Sequence, residues 1–411
     1  MNLTESIHYT VRPATAADAP FVARAILEAV GFDNPPAEFI EKQARLCLRD
    51  DVLYSCRNTQ VTEVGGRVVG SLTAYDGRRY RTLRAVTFPL IREMSGVDLS
   101  GMDDESGPGE YYLDSLYVLP EMRRRGIAKI LVQKGLDAAT TLRLPAAALL
   151  VAPDNAAAAR LYGSLGFRET GRVQAFRVNY RKLALPLSHP PLLEVCAASM
   201  ASALTAAQAG APRIELCRRL DLGGLTPNRA DIARCVKGLP LRTFVLVRPR
   251  GGDFHYSADE FAAIIDDIRY CRDAGAHGVV VGFLHADGTI DTDRCRQAVA
   301  AADGMEVTFH RAFDRCSHWP TALEQIIDCG FNRLLTSGQQ PTAEQGIDTL
   351  RSIQAQAHGR IAILAGSGVN ARNAAAIIQA TGVNEVHGSC KTAGYESDEA
   401  EVRQTLAAIR G

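Results

Sequence analysis

The sequence contains no uninterrupted apolar run of about 18 residues, the length needed to span a bilayer as a helix. Its first residues, MNLTESIHYTVRP, lack the basic start and apolar core of a secretory signal. The ten cysteines are scattered singly, with no CxxC pair and no zinc-type spacing, which argues against a disulfide scaffold. We therefore expect a protein of the reducing cytoplasm that does not interact with membranes.

Neither sign of charge prevails in this chain. Lys and Arg number 46, and Asp and Glu also number 46. Up to residue 186 there are 24 basic and 21 acidic residues, and after it 22 basic and 25 acidic residues. A nucleic-acid-binding domain carries a strong positive excess, and neither half has one. The balance excludes nucleic acid from the expected partners.

A chain of 411 residues that is 46% hydrophobic is expected to fold into two or three globular domains. The boundary is predicted at a proline cluster, where Pro186, Pro190 and Pro191 disfavour regular structure. We assign residues 8–184 to an N-terminal domain, 185–191 to a linker and 192–411 to a C-terminal domain.

In the C-terminal part, short apolar runs alternate regularly with helical segments, the pattern of repeated βα units. Eight strands and eight helices in about 220 residues predict a (β/α)8 TIM-type barrel, whereas a doubly wound open sheet usually has fewer units. The helix candidates include 257–275, 321–330 and 370–382. The candidate strands are 192–198, 213–217, 243–249, 278–284, 306–313, 333–338, 361–366 and 385–389.

In the N-terminal part, three arginines stand directly before a glycine in MRRRGIAKILV, residues 122–132. A strand is predicted at 111–120, followed by a short turn and a helix from Gly126. The positive charge therefore lies where helical N–H groups already favour an anion, although an ordinary basic loop would show the same residues. A second strand at 147–152 precedes Asn155, a short helix with Leu161 and Tyr162, and then Gly166 and Phe167.

This order of parts resembles the GNAT acetyltransferase superfamily, whose pyrophosphate loop Arg/Gln-x-x-Gly-x-Gly/Ala is matched here. The resemblance implies an α+β domain, acetyl-CoA as cofactor and a small-molecule or peptide amine as acceptor. It also implies that Asn155 binds the pantetheine arm and that Tyr162 protonates the leaving thiolate, whereas by itself Tyr162 could equally be a packed aromatic residue. The implied cofactor-binding residues are Leu116, Val118, Arg123, Arg124, Arg125, Gly126, Ile127, Ala128 and Asn155.

The base that accepts the amine proton is assigned to Glu110 or Asp114 at the start of the predicted strand, although both could be surface charges. Residues 78–109 form a long, irregular insertion that is either a functional lid or a loop without a role. A domain that senses coenzyme A without catalysis is the alternative to a transferase. Turnover with amines would separate the two.

The barrel repeats a Glu-x-Cys pattern near the ends of two neighbouring strands. Alternate residues share a face, so Glu194 and Cys196 point the same way, as do Glu215 and Cys217. Two thiolates at the mouth of a barrel, where barrel active sites lie, suit Cu(I). Cysteine is also a common small core residue, so packing is the alternative interpretation.

Further polar residues are predicted to converge on the same end of the barrel. Arg248 and His310 are candidate catalytic residues, with His310 expected to lie across from Glu194, although a histidine here could also serve stability alone. Glycine-rich loops after strands seven and eight are the usual phosphate position of such barrels. The predicted ligand-binding residues are Glu194, Glu215, Arg311, Asp314, Ser337, Gly338, Gly366, Gly368, His387 and Gly388.

These motifs resemble the CutC family over residues 192–411. The residues that carry the resemblance are LEVC, RIELC, LDLGGLTPN, RPRGGDF, FHRAFD, TSGQ, GSGVN and VHGS. The resemblance implies a barrel associated with copper homeostasis, with Cys196 and Cys217 at the positions proposed to bind copper. Two hypotheses stay open, a copper-binding barrel and a small-molecule enzyme that takes an anionic or phosphate-bearing ligand. A homo-oligomer formed through the barrel is also left open.

Overall fold

The computed structural model of the protein describes residues 9–410. The chain divides into two compact units between His189 and Pro190. The predicted domain limits at His8 and Gly411, and the first eight residues used to judge a secretory signal, lie outside the described part. Within the described residues, no helix has the length and apolar character needed to cross a membrane.

The N-terminal unit is built on a seven-stranded mixed sheet with the order β1-β2-β3-β4-β5-β7-β6. Its neighbours are antiparallel except for β4 and β5, which run parallel. The strands are β1 (Thr10–Pro13), β2 (Thr59–Val64), β3 (Arg67–Asp76), β4 (Glu110–Val118), β5 (Ala146–Val151), β6 (Arg168–Ala175) and β7 (Val178–Pro186).

Helices cover this sheet through two clusters of buried apolar side chains. The prediction of an irregular insertion at 78–109 was wrong, because half of that segment is helical. Tyr80, Leu83, Thr87 and Phe88 recur at helical spacing and are buried, and this apolar face stabilises the helix despite Pro89. The helices are α1 (Ala19–Ala29), α2 (Ala37–Cys47), α3 (Tyr80–Ser95), α4 (Ile127–Thr141) and α5 (Ala156–Ser164).

Over its described residues, the C-terminal unit is a closed barrel of eight parallel strands with eight helices, which confirms the predicted (β/α)8 fold. Closure places β15, the last strand, between β14 and β8. The strands are β8 (Leu192–Ala197), β9 (Arg213–Leu216), β10 (Arg242–Leu246), β11 (Gly278–Val281), β12 (Glu306–Phe309), β13 (Arg333–Thr336), β14 (Ala362–Gly366) and β15 (Glu385–Gly388). The helices are α6 (Met200–Gln208), α7 (Arg229–Gly238), α8 (Ala258–Ala274), α9 (Thr292–Ala302), α10 (Trp319–Asp328), α11 (Ile347–Ala357), α12 (Ala374–Thr381) and α13 (Glu399–Arg410).

Several predicted barrel strands extend too far at their C-terminal ends. β12 ends at Phe309, whereas the predicted run continues to residue 313. The apolar pattern continues there because Ala312 and Phe313 are buried, but their backbone forms a short 3-10 helix. The residues just beyond the strands therefore lie in loops at one end of the barrel, where the polar side chains collect.

The barrel interior also holds a layer of ion pairs that sequence analysis did not predict. Arg213 lies between Glu194 and Glu385, and Arg333 lies between Glu385 and Glu306. All five side chains are buried. Buried charges are stable only when they are paired and hydrogen-bonded, as these are. Glu194 is thus part of the interior of the barrel.

Candidate functional site

In the N-terminal unit, β4 and β5 are paired only at their first residues. Glu110, Tyr111 and Tyr112 pair with Ala146, Ala147 and Ala148. Both strands continue past these residues, β4 to Val118 and β5 to Val151, without further mutual pairing. The register of β4 against β3 also shifts there, leaving Asp114 as an extra residue in β4. Two parallel strands that part in this way leave backbone groups between them for a ligand.

The arginine-rich turn leads directly from β4 into α4. Arg124 and Gly126 have φ values of 62° and 83°, the left-handed region that reverses the chain before the helix. Arg123 donates from Nε to the Val118 carbonyl over 3.0 Å, which ties the turn to the end of β4. The first N–H groups of a helix have no intrahelical acceptor, so those of Ile127 and Ala128 are available to an anion.

The other predicted cofactor-binding residues occupy the elements expected of them. Leu116 is half-buried in β4, and Val118 is the last residue of that strand. Arg125 is exposed in the turn beside Arg123 and Arg124. Asn155 precedes α5 and accepts a hydrogen bond from the Ala158 N–H at Oδ1, 3.0 Å away. Part of the amide of Asn155 is therefore used to cap α5.

Tyr162 lies on α5 with its side chain almost fully buried. Its ring meets that of Phe167 edge to face, with centroids 5.8 Å apart. Burial raises the pKa of Tyr162, which keeps the phenol protonated. A protonated phenol can donate to a thiolate, and the same contacts also fit an aromatic residue in the core.

The structure separates the two predicted bases. Glu110 is paired with Lys182 at 2.8 Å and accepts a hydrogen bond from Ser106. Asp114 accepts hydrogen bonds from Tyr75 and Ser115, and burial raises its pKa. Sequence analysis missed Glu105, which is hydrogen-bonded to Tyr80 and Tyr112. Burial and the Asp114 charge raise the pKa of Glu105 to about 8.

In the C-terminal unit, a cavity of about 270 Å³ opens at the C-terminal ends of the barrel strands. It is lined by all four predicted catalytic and metal-binding residues of the barrel and by parts of both glycine-rich loops. The predicted residues that line it are Cys196, Cys217, Glu215, Arg248, His310, Arg311, Gly368, His387 and Gly388.

Five predicted ligand-binding residues do not line the cavity. Glu194 lies deeper, in the ion-pair layer. It was expected to lie across from His310, but its hydrogen bond is with His387. Asp314 accepts hydrogen bonds from Thr336 and Ser337 and from the Gln339 N–H, so it organises a loop. The carboxylates of Glu194 and Asp314 are thus already hydrogen-bonded to other groups of the protein. The remaining three that do not line the cavity are Ser337, Gly338 and Gly366.

His310 is held as a neutral hydrogen-bond donor. Its Nδ1 accepts the Ala312 N–H over 3.1 Å, so the remaining proton belongs on Nε2. That Nε2 is buried and has no hydrogen-bond partner among the described residues. Burial and the charge of Arg248 lower the pKa of His310 to about 3. His310 therefore offers an N–H group to a ligand and does not act as a charged acid.

Two arginines fix the loops around the cavity. The Nη groups of Arg248 donate to the carbonyls of Leu222, Gly223, Gly224 and Gly252, and its guanidinium lies over the ring of Phe254. Arg311 pairs with Asp314 at 2.7 Å and donates to Ser337. Both contribute positive charge to the cavity wall while they hold its loops in place.

Sequence analysis missed several residues that line the cavity. Lys391 lies two residues after the VHGS motif and adds a third cation, and its position three residues after β15 is the one available signal. Phe254, within RPRGGDF, packs on His310 with ring centroids 4.8 Å apart. Ser367 and Ser389 contribute the polar groups of the two glycine-rich loops.

One corner of the cavity brings the two cysteines together. The Sγ atoms of Cys196 and Cys217 lie 3.8 Å apart. The hydrogen bond with Cys217, together with burial, raises the pKa of Cys196 well above that of a free thiol. Burial would raise the pKa of Glu194, but the charge of Arg213 and the hydrogen bond from His387 lower it to about 2. Burial raises the pKa of Glu215 to about 7.

Comparison with known proteins gives a family match in each of the two units. Residues 191–392 match the CutC family model. A CutC family protein of Bacteroides thetaiotaomicron is 49% identical over 199 residues, which cover 48% of this chain and 80% of the relative. A CutC protein of Vibrio cholerae is 46% identical over 202 residues, 49% of this chain and 80% of the relative. The chain belongs to the CutC family.

In the N-terminal unit of this CutC-family chain, residues 25–167 match the acetyltransferase (GNAT) family model. Among solved structures, a CutC provisionally assigned to copper homeostasis, from Streptococcus agalactiae, is 31% identical and has a TM-score of 0.47. It covers 48% of this chain and 98% of its own. The crystal structure of an acetyltransferase is 21% identical with a TM-score of 0.38, covering 44% of this chain and all of its own.

Proposed function

We propose that the N-terminal domain transfers the acetyl group of acetyl-CoA to an amine. The observation that carries this proposal is the parting of β4 and β5 directly before the Arg124–Gly126 turn and the N-terminus of α4. The thioester arm would lie between the parted strands, and the pyrophosphate would bind the N–H groups of the first turn of α4. A small-molecule or peptide amine is the proposed acceptor.

Tyr162 and Asp114 supply the proton transfers in this proposal. Attack of the amine on the thioester forms a tetrahedral intermediate, which must expel sulfur and lose the amine proton. Tyr162, kept protonated by burial, gives its proton to the departing thiolate. Asp114 receives the amine proton directly or through water, since its raised pKa makes it a better base. Glu110 is already neutralised by Lys182.

The experiment is a survey of amines with the whole protein and acetyl-CoA, in which release of free coenzyme A thiol is measured. Amine-dependent thiol release supports the transferase. Binding of acetyl-CoA by calorimetry without thiol release for any amine would favour a coenzyme A sensor. Absence of binding at millimolar acetyl-CoA would overturn both.

For the barrel, we propose a binding site for an anionic small molecule, consistent with an enzyme. The supporting observation is the unpartnered Nε2–H of His310 in a cavity that is also lined by Arg248, Arg311 and Lys391. A buried donor without a partner costs free energy unless a ligand satisfies it. Inorganic phosphate is a suitable first probe. Saturable phosphate binding that is weakened in His310→Phe supports the site, and binding that this change leaves unaltered argues against it.

Copper handling is a second candidate for the barrel, and one distance favours it. The Sγ atoms of Cys196 and Cys217 are close enough, at 3.8 Å, to share one ion. Anaerobic titration of the reduced protein with Cu(I) tests this candidate. Tight one-to-one binding that is lost in the Cys196→Ser, Cys217→Ser double variant supports copper. Weak binding spread over the other eight cysteines argues against it.

A further inference from the structure

Three side chains with metal-binding atoms meet at the mouth of the barrel. A sulfur of Cys196, a carboxylate oxygen of Glu215 and a ring nitrogen of His387 all lie within 4.8 Å of one another, and all three residues are buried. They come from three adjacent strands, β8, β9 and β15. Strand register places Cys196 beside Glu215 and His387 beside Glu194. The cluster is thus built by the barrel itself and not by its loops.

The orientation of His387 is fixed from behind. Its Nδ1 lies 2.9 Å from Oε1 of Glu194, which is held in turn by Arg213 at 2.6 Å. A histidine that gives its Nδ1–H to a carboxylate has the Nε2 lone pair free for a metal, and such carboxylate–histidine pairs recur behind metal ions. The buried ion pair of Glu194 and Arg213 therefore acts on this corner by positioning His387.

Glu215 provides an independent indication of a ligand. Its Oε2 is buried and has no hydrogen-bond partner among the residues described. The residue is only 5% exposed, so bulk water does not supply one. A buried carboxylate oxygen without a partner is strongly unfavourable in a folded protein. A cation between Cys196, Glu215 and His387 would satisfy it.

We propose that Cys196, Glu215 and His387 bind one divalent cation of the zinc type. One sulfur, one nitrogen and one oxygen donor form a mixed set that Zn²⁺ accepts, whereas Cu(I) selects soft sulfur ligands. Three protein ligands leave a fourth position open, and all three residues line the cavity. The inference deepens the anionic-ligand function proposed for the barrel and rests on it, because the open position would be filled by that anion.

Cys217 distinguishes this site from a dithiolate copper site. Its Sγ is 3.8 Å from that of Cys196, and both cysteines pack with Phe244, Leu246 and Val280. Among the described residues, however, Cys217 is not part of the group of metal-binding atoms that lie within 4.8 Å of one another. Under the zinc proposal Cys217 is a core residue beside the site. Under the copper hypothesis it supplies one of two essential thiolates.

The test uses the whole reduced protein, freed of metal with a chelator and titrated with Zn²⁺ against a chromophoric competitor. We expect one Zn²⁺ per chain and an affinity that falls about tenfold or more in Glu215→Gln and in His387→Gln. Cys217→Ser is the matched control and should keep its zinc affinity. X-ray absorption at the zinc edge should show one sulfur ligand.

Two results would overturn the proposal. One is the absence of stoichiometric zinc binding by the folded protein. The other is binding that Cys217→Ser abolishes while Glu215→Gln leaves it unchanged. Thermal unfolding checks the folding of every variant, and if Cys196→Ser does not fold, the isosteric Glu215→Gln decides the question. Phosphate binding by the metal-free protein separates the two ideas: if it persists without zinc binding, the metal site fails and the proposed anion site stands.

Discussion

Among single residues, Tyr162 is the one on which the proposed acetyl transfer depends most directly. Tyr162→Phe removes the phenol proton and keeps the ring that packs on Phe167. We expect kcat to fall about 100-fold with little change in acetyl-CoA affinity, because a general acid acts in the transition state. Steady-state kinetics and calorimetry measure the two effects. Tyr180→Phe on β7 is the control, and an unchanged kcat in Tyr162→Phe would assign proton donation to water.

Glu105 predicts a pH dependence of stability in the N-terminal domain. Its pKa is raised by burial and by Asp114 from about 4.5 to about 8. The folded state thus favours the neutral carboxyl, and this stabilisation is complete below pH 4.5 and is lost as the pH rises to 8. The loss amounts to at most about 1.4 kcal/mol per pH unit.

The Glu105→Gln variant should flatten this part of the stability profile in urea unfolding between pH 5 and 8. Glu110→Gln, which replaces a carboxylate that is paired with Lys182 in the parent protein, should keep the slope. If the N-terminal domain of the parent protein has the same free energy of unfolding at pH 5 and at pH 8, the assignment of a buried neutral carboxyl at position 105 is wrong.

At the scale of elements, the N-terminus of α4 is the feature that the coenzyme A proposal needs. Gly126→Glu places a bulky negative side chain at φ 83°, where the pyrophosphate is proposed to bind. We expect loss of detectable acetyl-CoA binding by calorimetry. Gly96→Glu is a matched control, since Gly96 ends α3 at φ 74° and, like Gly126, has no atom near an added Cβ. Equal loss in both variants would point to backbone strain instead.

For the whole molecule, the division at His189 and Pro190 predicts that acetyl-CoA binding belongs to the first unit alone. Each unit has its own buried apolar clusters, so each is expected to fold when expressed separately. Calorimetry should give residues 1–189 the same acetyl-CoA affinity as the whole chain, and residues 190–411 none. A folded fragment 1–189 that binds no acetyl-CoA would show that this prediction is wrong.

The sequence alone determined the features that depend on local pattern. The alternation of apolar runs predicted eight barrel strands, since strand formation follows from periodicity within a few residues. The Arg123–Gly126 turn was also recognisable, because a glycine directly before an apolar helical segment readily takes the left-handed conformation found there. The irregular segment at 78–109 was misjudged because the partners of its buried face lie elsewhere in the chain.

Tertiary structure alone decided which charges and thiols meet. His387 and Glu194 are 193 residues apart and become hydrogen-bonded only because closure of the barrel makes β15 and β8 neighbours. Strand register, which no local pattern specifies in a barrel buried on both faces, set Cys196 beside Glu215. The sequence thus predicted several of the chemical groups at the mouth of the barrel, including both cysteines, Glu215 and His387. Their pairing followed from closure and register, which are properties of the complete fold.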